Sequence, residues 1–358
     1  MSTEDKIREI EEEIRATPYN KSTEAHIGRL KAKLSKLKEE RSKRGASKRS
    51  REGQIKKSGD ATAVLVGFPF VGKSTLFQKL TGVTKEKFSD GASLEVIPGI
   101  LEVKGSKIQI LDLSSLPDEG YPGRVREGEL LSTVRNADLI LLVVDIFSVD
   151  RLSEVKERLI SAAIRMNETP PNISISKRDR GGITINKTLD LDLDDSTILS
   201  ILNEYKIHNA DVLIRENITE DRLIDALTGN RIYLPAISII NKADLKDDIE
   251  EVDIPDDAIL VSALEDTGLG TLKVAMFDKL EFIRIYMKPQ GEDPDFKEPM
   301  IMKEEATVGD ICDKIHRDFR DKFRHAYVWG KSAKHQGQKV GLGHRLKDED
   351  VITIVVRR

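Results

Sequence analysis

Residues 67–75 read GFPFVGKST, between the apolar run ATAVLV and the segment LFQKLTG. The stretch fits G-x-x-x-x-G-K-[ST], and it stands where that pattern needs to stand, after a predicted strand and at the start of a predicted helix. Gly67 and Gly72 let the backbone wrap closely, so that the loop of Phe68, Pro69, Phe70 and Val71 surrounds a β-phosphate. The helix that follows, opening on Lys73, Ser74 and Thr75, adds its positive end. Lys73 is expected to reach β- and γ-phosphate oxygens, and the Ser74 hydroxyl to bind Mg²⁺.

Outward from this loop, strand and helix patterns alternate. GILEVKG and KIQILDL read as two strands joined at Gly105. GELLSTVRNA reads as a helix, DLILLVVD as a strand, and RLSEVKERLISAAIRM as one helix. AISIINKADL and AILVSAL each read as a strand followed by a loop. Such alternation argues an α/β fold with a mainly parallel sheet covered by helices on both faces.

The later strand ends carry a base-recognition set. In NKAD, residues 241–244, Asp244 would accept two hydrogen bonds from the guanine edge, which adenine cannot offer. Asn241 would tie neighbouring loops together, and Lys242 would lay its stem along the base. One strand on, Ser262, Ala263 and Leu264 of VSAL hold the position of the loop that meets the guanine oxygen. The ordered set favours GTP and GDP over adenine nucleotides, and a GTPase over an ATPase or kinase.

The hydrolytic parts are less complete. Asp112, at the end of IQILDL, is expected to hold Mg²⁺ through water. A glycine normally stands three residues on and gives its N–H to the γ-phosphate, but here that residue is Ser115. If the turn needs φ > 0, a Cβ there costs roughly 1 kcal/mol or more. Leu116 is apolar and cannot orient a water. The switch threonine that meets Mg²⁺ is also missing, and Ser93 in KFSDGASLEVIPG is the best surviving hydroxyl. That loop could equally be a plain connector. Lys73, Ser93, Asp112 and Ser115 are the candidate catalytic set, with Ser74, Ser93 and Asp112 as the metal ligands.

Composition narrows the class. The chain has 358 residues, enough for two or three domains, with 34% charged and 39% hydrophobic residues. Its formal net charge of −4 does not announce a nucleic-acid binder. Cys312 is the single cysteine, which excludes an internal disulfide; at helical spacing among apolar residues it reads as buried. No stretch approaches a membrane span and MSTEDKIREIEEE lacks a signal core, so a cytoplasmic protein is expected.

The flanks add more. Residues 4–42 read as a helical hairpin interrupted by TPYNKST, packing as an arm on another domain or a partner. The stretch 43–57 is basic, either a solvated linker or a phosphate-backbone contact. Residues 167–231 break the alternation with two short β-like runs around KRDRGG and then two helical patterns, which suggests an inserted α+β subdomain. After Pro289 come a strand MIMK, a helix TVGDICDKIHRDF, a strand HAYVWG and a last strand VITIVVR, an order of the β-grasp kind.

With these motifs in hand, the chain resembles the developmentally regulated GTP-binding protein (DRG) family, a branch of the Obg-like GTPases. The resemblance covers nearly the full length. It rests on KSTEAHIGRLKAKLSKLKEE, GFPFVGKSTL, PPNISISKRDRGG, ILNEYKIHNADVLIRE, NKAD and FRHAYVWGKSAKHQGQKVGLGHRLKDEDVITIV. It implies a helical region and linker over 1–58, a GTPase domain over 59–288 interrupted by the insertion 167–231, and a C-terminal TGS domain of β-grasp fold over 289–358. It also implies ribosome and RNA association and, in eukaryotes, a dedicated protein partner; a monomer is expected. Three departures stand out. The family loop reads G-F-P-S-V-G-K-S, and in related Obg-like enzymes an asparagine in place of Phe70 helps bind K⁺; phenylalanine offers no oxygen, which leaves K⁺ stimulation in doubt. The family's F-T-T-L-T falls on GASLE, its second threonine on Ser93, and its D-L-P-G-I on DLSSL.

Two basic zones bear on partners. Lys177, Arg178 and Arg180 of KRDRGG fit either a plain hairpin tip or an RNA backbone contact. Lys331, Lys334, His335, Lys339, His344 and Arg345 surround Trp329, which is read as core rather than as a stacking platform; the histidines lack zinc spacing. The leading expectation is a ribosome-associated GTPase with slow turnover, and the alternative is a nucleotide-held RNA- or ribosome-binding scaffold without useful turnover.

Overall fold

The computed structural model describes residues 3–46, 57–83, 96–113, 115–117, 127–248 and 253–357. Ser93 and most of the basic stretch 43–57 lie outside the described residues. In chain order the helices are α1 (Thr3–Ala16), α2 (Glu24–Ala46), α3 (Lys73–Thr81), α4 (Glu127–Arg135), α5 (Leu152–Ser161), α6 (Asp195–Glu204), α7 (Glu220–Thr228), α8 (Leu269–Lys279), α9 (Val308–Ile315) and α10 (Arg317–Asp321). The strands are β1 (Ala61–Val66), β2 (Ile97–Val103), β3 (Ser106–Asp112), β4 (Leu139–Asp145), β5 (Ile164–Met166), β6 (Ile173–Lys177), β7 (Ile183–Lys187) and β8 (Ala210–Ile214). They continue with β9 (Ile232–Leu234), β10 (Ala236–Asn241), β11 (Ala258–Leu260), β12 (Phe282–Met287), β13 (Met300–Lys303), β14 (Phe323–Trp329), β15 (Gln338–Val340) and β16 (Asp350–Val356). Two compact units divide the chain, Met1–Gln54 with Glu168–Tyr233, and Ile55–Asn167 with Leu234–Arg358. No helix among the described residues is long and apolar enough to cross a membrane.

In the larger unit six strands run in the order β11-β10-β4-β1-β3-β2, parallel except for β2, which is antiparallel to β3. β1 (ATAVLV) and β4 (LILLVVD) are buried at every position. Unbroken apolar runs are what a parallel sheet covered on both faces requires. Leu76 and Phe77 of α3, Val155 and Leu159 of α5, and Leu272 and Met276 of α8 join that core. The same unit holds a second sheet in the order β13-β12-β16-β14-β15, with α9 laid on one face. There Val308, Ile311 and Cys312 meet Ile285, Ala326, Val328 and Ile352, a β-grasp arrangement in which Cys312 is fully buried.

In the smaller unit, α1 and α2 form the expected hairpin. Asn20 shapes its turn, accepting at Oδ1 from the N–H groups of Ser22 (3.0 Å) and Thr23 (3.1 Å). The hairpin packs on the inserted segment, where Ala32 of α2 joins Ile198, Ile201 and Leu202 of α6 and Leu223 of α7 in one core. Gly28 is what lets α2 approach. A Cβ there would lie 3.0 Å from Thr197 Cγ2 and 3.2 Å from Ile201 Cδ1.

The structure departs from the sequence reading in five places. RLSEVKERLISAAIRM is not one helix: α5 stops at Ser161, Ala163 turns into the left-handed region (φ 65°), and Ile164–Met166 is a strand. No glycine or proline marks that stop. KRDRGG is not a hairpin tip, because β6 and β7 do not pair with each other. Both flank β8, β6 antiparallel and β7 parallel to it. The alternation within ADVLI was hidden between two helical patterns. The helix read through TVGDICDKIHRDF breaks at His316, whose backbone is extended. Phe282–Met287, assigned by sequence to the 59–288 segment, lies inside the C-terminal sheet between β13 and β16. Finally, Trp329 is not core. Ala326 and Val328 fill the helix-covered face of β14, so His325, Tyr327 and Trp329 lie on the other face, partly exposed.

Candidate functional site

The C-terminal ends of β1, β3, β4, β10 and β11 meet at one edge of the six-stranded sheet, where open α/β sheets take ligands. The register sets Leu65 beside Asp112, and Asn241 beside Asp145. The loop GFPFVGKST leaves β1 at this edge. A Cβ on Gly67 would stand 2.1 Å from the Val143 carbonyl oxygen, and one on Gly72 (φ 87°) would stand 2.2 Å from Asn241 Nδ2. Both glycines are therefore required by their neighbours. Gly72 is also the N-cap of α3 and brings no side-chain acceptor to its first turn. That leaves the positive end of α3 shaped for an anion.

Lys73 is buried, and its ammonium is held inside the loop. Nζ donates to the carbonyls of Gly67 (3.0 Å) and Phe68 (2.6 Å) and to Ser115 Oγ (2.8 Å). Ser115 is thus drawn to the phosphate loop through its hydroxyl. Leu116 is buried beside it and donates its N–H to Gly67 O (3.0 Å). Asp112 is buried at the end of β3. Ser74 is partly buried, and its hydroxyl makes no hydrogen bond among the described residues. A hydroxyl and a carboxylate are hard oxygen donors of the kind Mg²⁺ takes together with phosphate oxygens. No group of three or more His, Cys, Asp or Glu able to hold a metal occurs among the described residues.

The phosphate loop and the VSAL loop are joined by one amide. Asn241 Nδ2 donates to Val71 O (2.9 Å) and its Oδ1 accepts from Ala263 N (3.1 Å), tying the phosphate loop to VSAL. Lys242 takes a left-handed backbone (φ 59°) and its Nζ reaches Asp145 Oδ2 (2.6 Å). Ala243 N–H bonds Val261 O (3.0 Å), which pulls NKAD against β11. Ser262 is fully buried and its hydroxyl accepts from Glu265 N (3.1 Å), whereas Leu264 is 74% exposed. Asp244 Oδ1 is buried yet has no hydrogen-bond partner among the described residues. An ionised oxygen in that position is costly unless a ligand donates to it.

Two loop residues behave differently from the rest. The Phe68 ring is 1% exposed and stacks under Arg151 (guanidinium 3.6 Å from the ring centroid) and Arg158 (5.1 Å). Only its backbone can face a ligand. Phe70 projects outward, 75% exposed, with φ 66°. Sequence reasoning missed the clamp around Phe68. Arg158 also donates to Pro117 O (2.6 Å) and to Glu154 (2.6 Å), fixing the chain just after DLSSL. The spacing of Arg151, Glu154 and Arg158 along one helix face was a visible signal, but nothing in it named the ring above. Asp145 was missed as well, although an acid closing a wholly apolar strand is a readable mark.

Comparison with known proteins gives a family. Residues 62–177 match the family described as 50S ribosome-binding GTPase, 180–282 the C-terminal region of that domain, and 283–356 the TGS domain. The chain is 50% identical over 369 residues to an uncharacterised GTP-binding protein of Methanocaldococcus jannaschii, covering 100% of this chain and 94% of that one. It is 41% identical over 369 residues to the developmentally-regulated GTP-binding protein 1 homologue of Dictyostelium discoideum (99% and 100% covered). It is also 41% identical over 360 residues to developmentally-regulated GTP-binding protein 1 of Xenopus laevis (98% of each).

Proposed function

The chain belongs to the developmentally regulated GTP-binding protein family, and on that premise we propose that it binds GTP and GDP, hydrolyses GTP slowly and acts in association with ribosomes. The observation that carries the nucleotide reading is the buried Asp244 Oδ1, unpartnered among the described residues. Guanine offers N–H donors on the edge that this carboxylate would meet, and adenine offers none there. A site with a buried acceptor strongly rejects the analogue that cannot satisfy it.

Hydrolysis would proceed by in-line attack of water on the γ-phosphorus, breaking the bond to the β-bridging oxygen and releasing GDP and phosphate. Lys73 would turn its ammonium from the loop carbonyls to the β- and γ-oxygens. The first turn of α3 would hold the β-phosphate. Mg²⁺ would be held by Ser74 and Asp112, with Ser93 as a further candidate, and would neutralise charge on the phosphates. Leu116 is buried and apolar, and no described side chain stands ready as a general base, so catalysis rests on positioning and charge. Phe70 supplies no oxygen for a K⁺ ion.

A second reading, a nucleotide-held ribosome-binding scaffold with little turnover, draws on Ser115. Its hydroxyl engages Lys73 at 2.8 Å, the ammonium that a γ-phosphate would otherwise recruit. Single-turnover GTP cleavage with and without ribosomes separates the two. The GTPase reading expects slow cleavage that ribosomes accelerate, and a faster rate in the Ser115→Gly, Ser93→Thr double variant. Cleavage no faster than background in either condition would leave the scaffold.

A further inference from the structure

Residues 115–117, just past Asp112, are tied to the phosphate loop by three different bonds. Ser115 Oγ accepts from Lys73 Nζ (2.8 Å), Leu116 N donates to Gly67 O (3.0 Å), and Pro117 O accepts from Arg158 Nη1 (2.6 Å). The third tie reaches the loop through a side chain. The Arg158 guanidinium lies 5.1 Å from the centroid of the Phe68 ring, and that ring is buried within the phosphate loop's own core. One cation therefore engages the segment through a carbonyl and the loop through a ring.

Arg158 is braced for this position. Its Nη2 donates to Glu154 Oε1 (2.6 Å), while Glu154 Oε2 accepts from Arg151 Nε (3.3 Å). Arg151 lies over the same ring, 3.6 Å from its centroid. Glu154 and Arg158 share one face of α5 with Arg151 just ahead of it, so the carboxylate stands between two cations and offsets their repulsion. A partly exposed ion pair on a helix contributes little by itself. What distinguishes this one is the Pro117 carbonyl. Proline has no N–H, so that carbonyl is its only backbone hydrogen-bonding group, and a charged donor takes it.

The geometry points to Arg158 as a positioning residue: it holds residues 115–117 against the phosphate loop, so that a γ-phosphate meets the Ser115 N–H at a fixed place. The catalytic consequence rests on the GTPase reading given above. Under that reading Lys73 swings to the phosphates and releases the Ser115 hydroxyl. The Leu116 and Pro117 bonds then carry the segment, and losing Arg158 would leave only the Leu116 bond of the three.

The Leu116 amide reports on the tie directly, because its N–H is the donor to Gly67 O. Amide hydrogen exchange is followed in the nucleotide-free full chain. Arg158→Ala should speed exchange at Leu116 about tenfold and leave the β1 amides unchanged, with Arg158→Lys, which keeps the charge and a donor but not the fork, in between. Single-turnover GTP cleavage by Arg158→Ala should fall about tenfold while GDP affinity stays within about twofold, the split expected of positioning rather than of binding. Unchanged exchange at Leu116, or faster exchange shared equally by β1, would overturn the proposal. So would an unchanged cleavage rate, or a tenfold loss of GDP affinity. Should the natural chain cleave no GTP while Leu116 exchange responds to Arg158→Ala, the GTPase reading fails and the tie stands.

Discussion

Phe70 stands apart from the rest of the phosphate loop. A bulky side chain at φ 66° is strained, and the ring reaches out to 75% exposure. Asparagine tolerates that conformation better and carries an oxygen. Phe70→Asn should therefore raise the unfolding free energy by about 0.5–1 kcal/mol. It should also make GTP cleavage faster in K⁺ than in Na⁺, where the natural chain should show no difference; denaturant melts and cleavage assays in the two salts check both. The residues that shape the loop were legible one by one, since Gly67, Gly72, Lys73 and Asn241 stand in motifs whose chemistry dictates them. The Lys73–Ser115 contact was not, because a sequence names the serine but not the direction of its hydroxyl.

At the scale of elements, local signals and pairings had different fates. The Thr307 cap of α9 is a complete capping box. Thr307 Oγ1 accepts from Asp310 N (3.4 Å), and Asp310 Oδ2 accepts from Thr307 N (2.7 Å). Thr307→Ala should lower stability by about 1 kcal/mol. The backbone hydrogen bond from Thr307, foremost, holds the Asp310 carboxyl below its ordinary pKa. A depressed folded-state value means the box stabilises fully above the ordinary carboxylate range and loses that contribution as pH falls through the lowered one. Acid unfolding curves should show this loss, and Asp310→Asn should abolish it. On α2, Gly28→Leu should wedge the helix from α6 and cost about 1–3 kcal/mol, read by thermal melting. Helix patterns were legible because apolar residues recur on one face. Strand partners were not: β8 and β12 are short, and alternation says which face is buried without saying which strand lies alongside. That is why KRDRGG looked like a tip and FIRIYM was left within the 59–288 segment.

For the whole molecule, the family, the α/β architecture and the C-terminal β-grasp sheet were readable because long motifs span nearly the full chain. The exposed ring face was not, because an aromatic strand residue is ordinarily core until its neighbours show which side the helix covers. The claim on which the functional reading depends is that one sheet edge selects a guanine diphosphate. Its most direct test is calorimetric titration of the full chain, and of Asp244→Ala, with GDP and with ADP in the presence of Mg²⁺. GDP should bind at least about a hundredfold more tightly than ADP, and Asp244→Ala should erase most of that difference. Equal affinity for the two diphosphates in the natural chain would contradict the account.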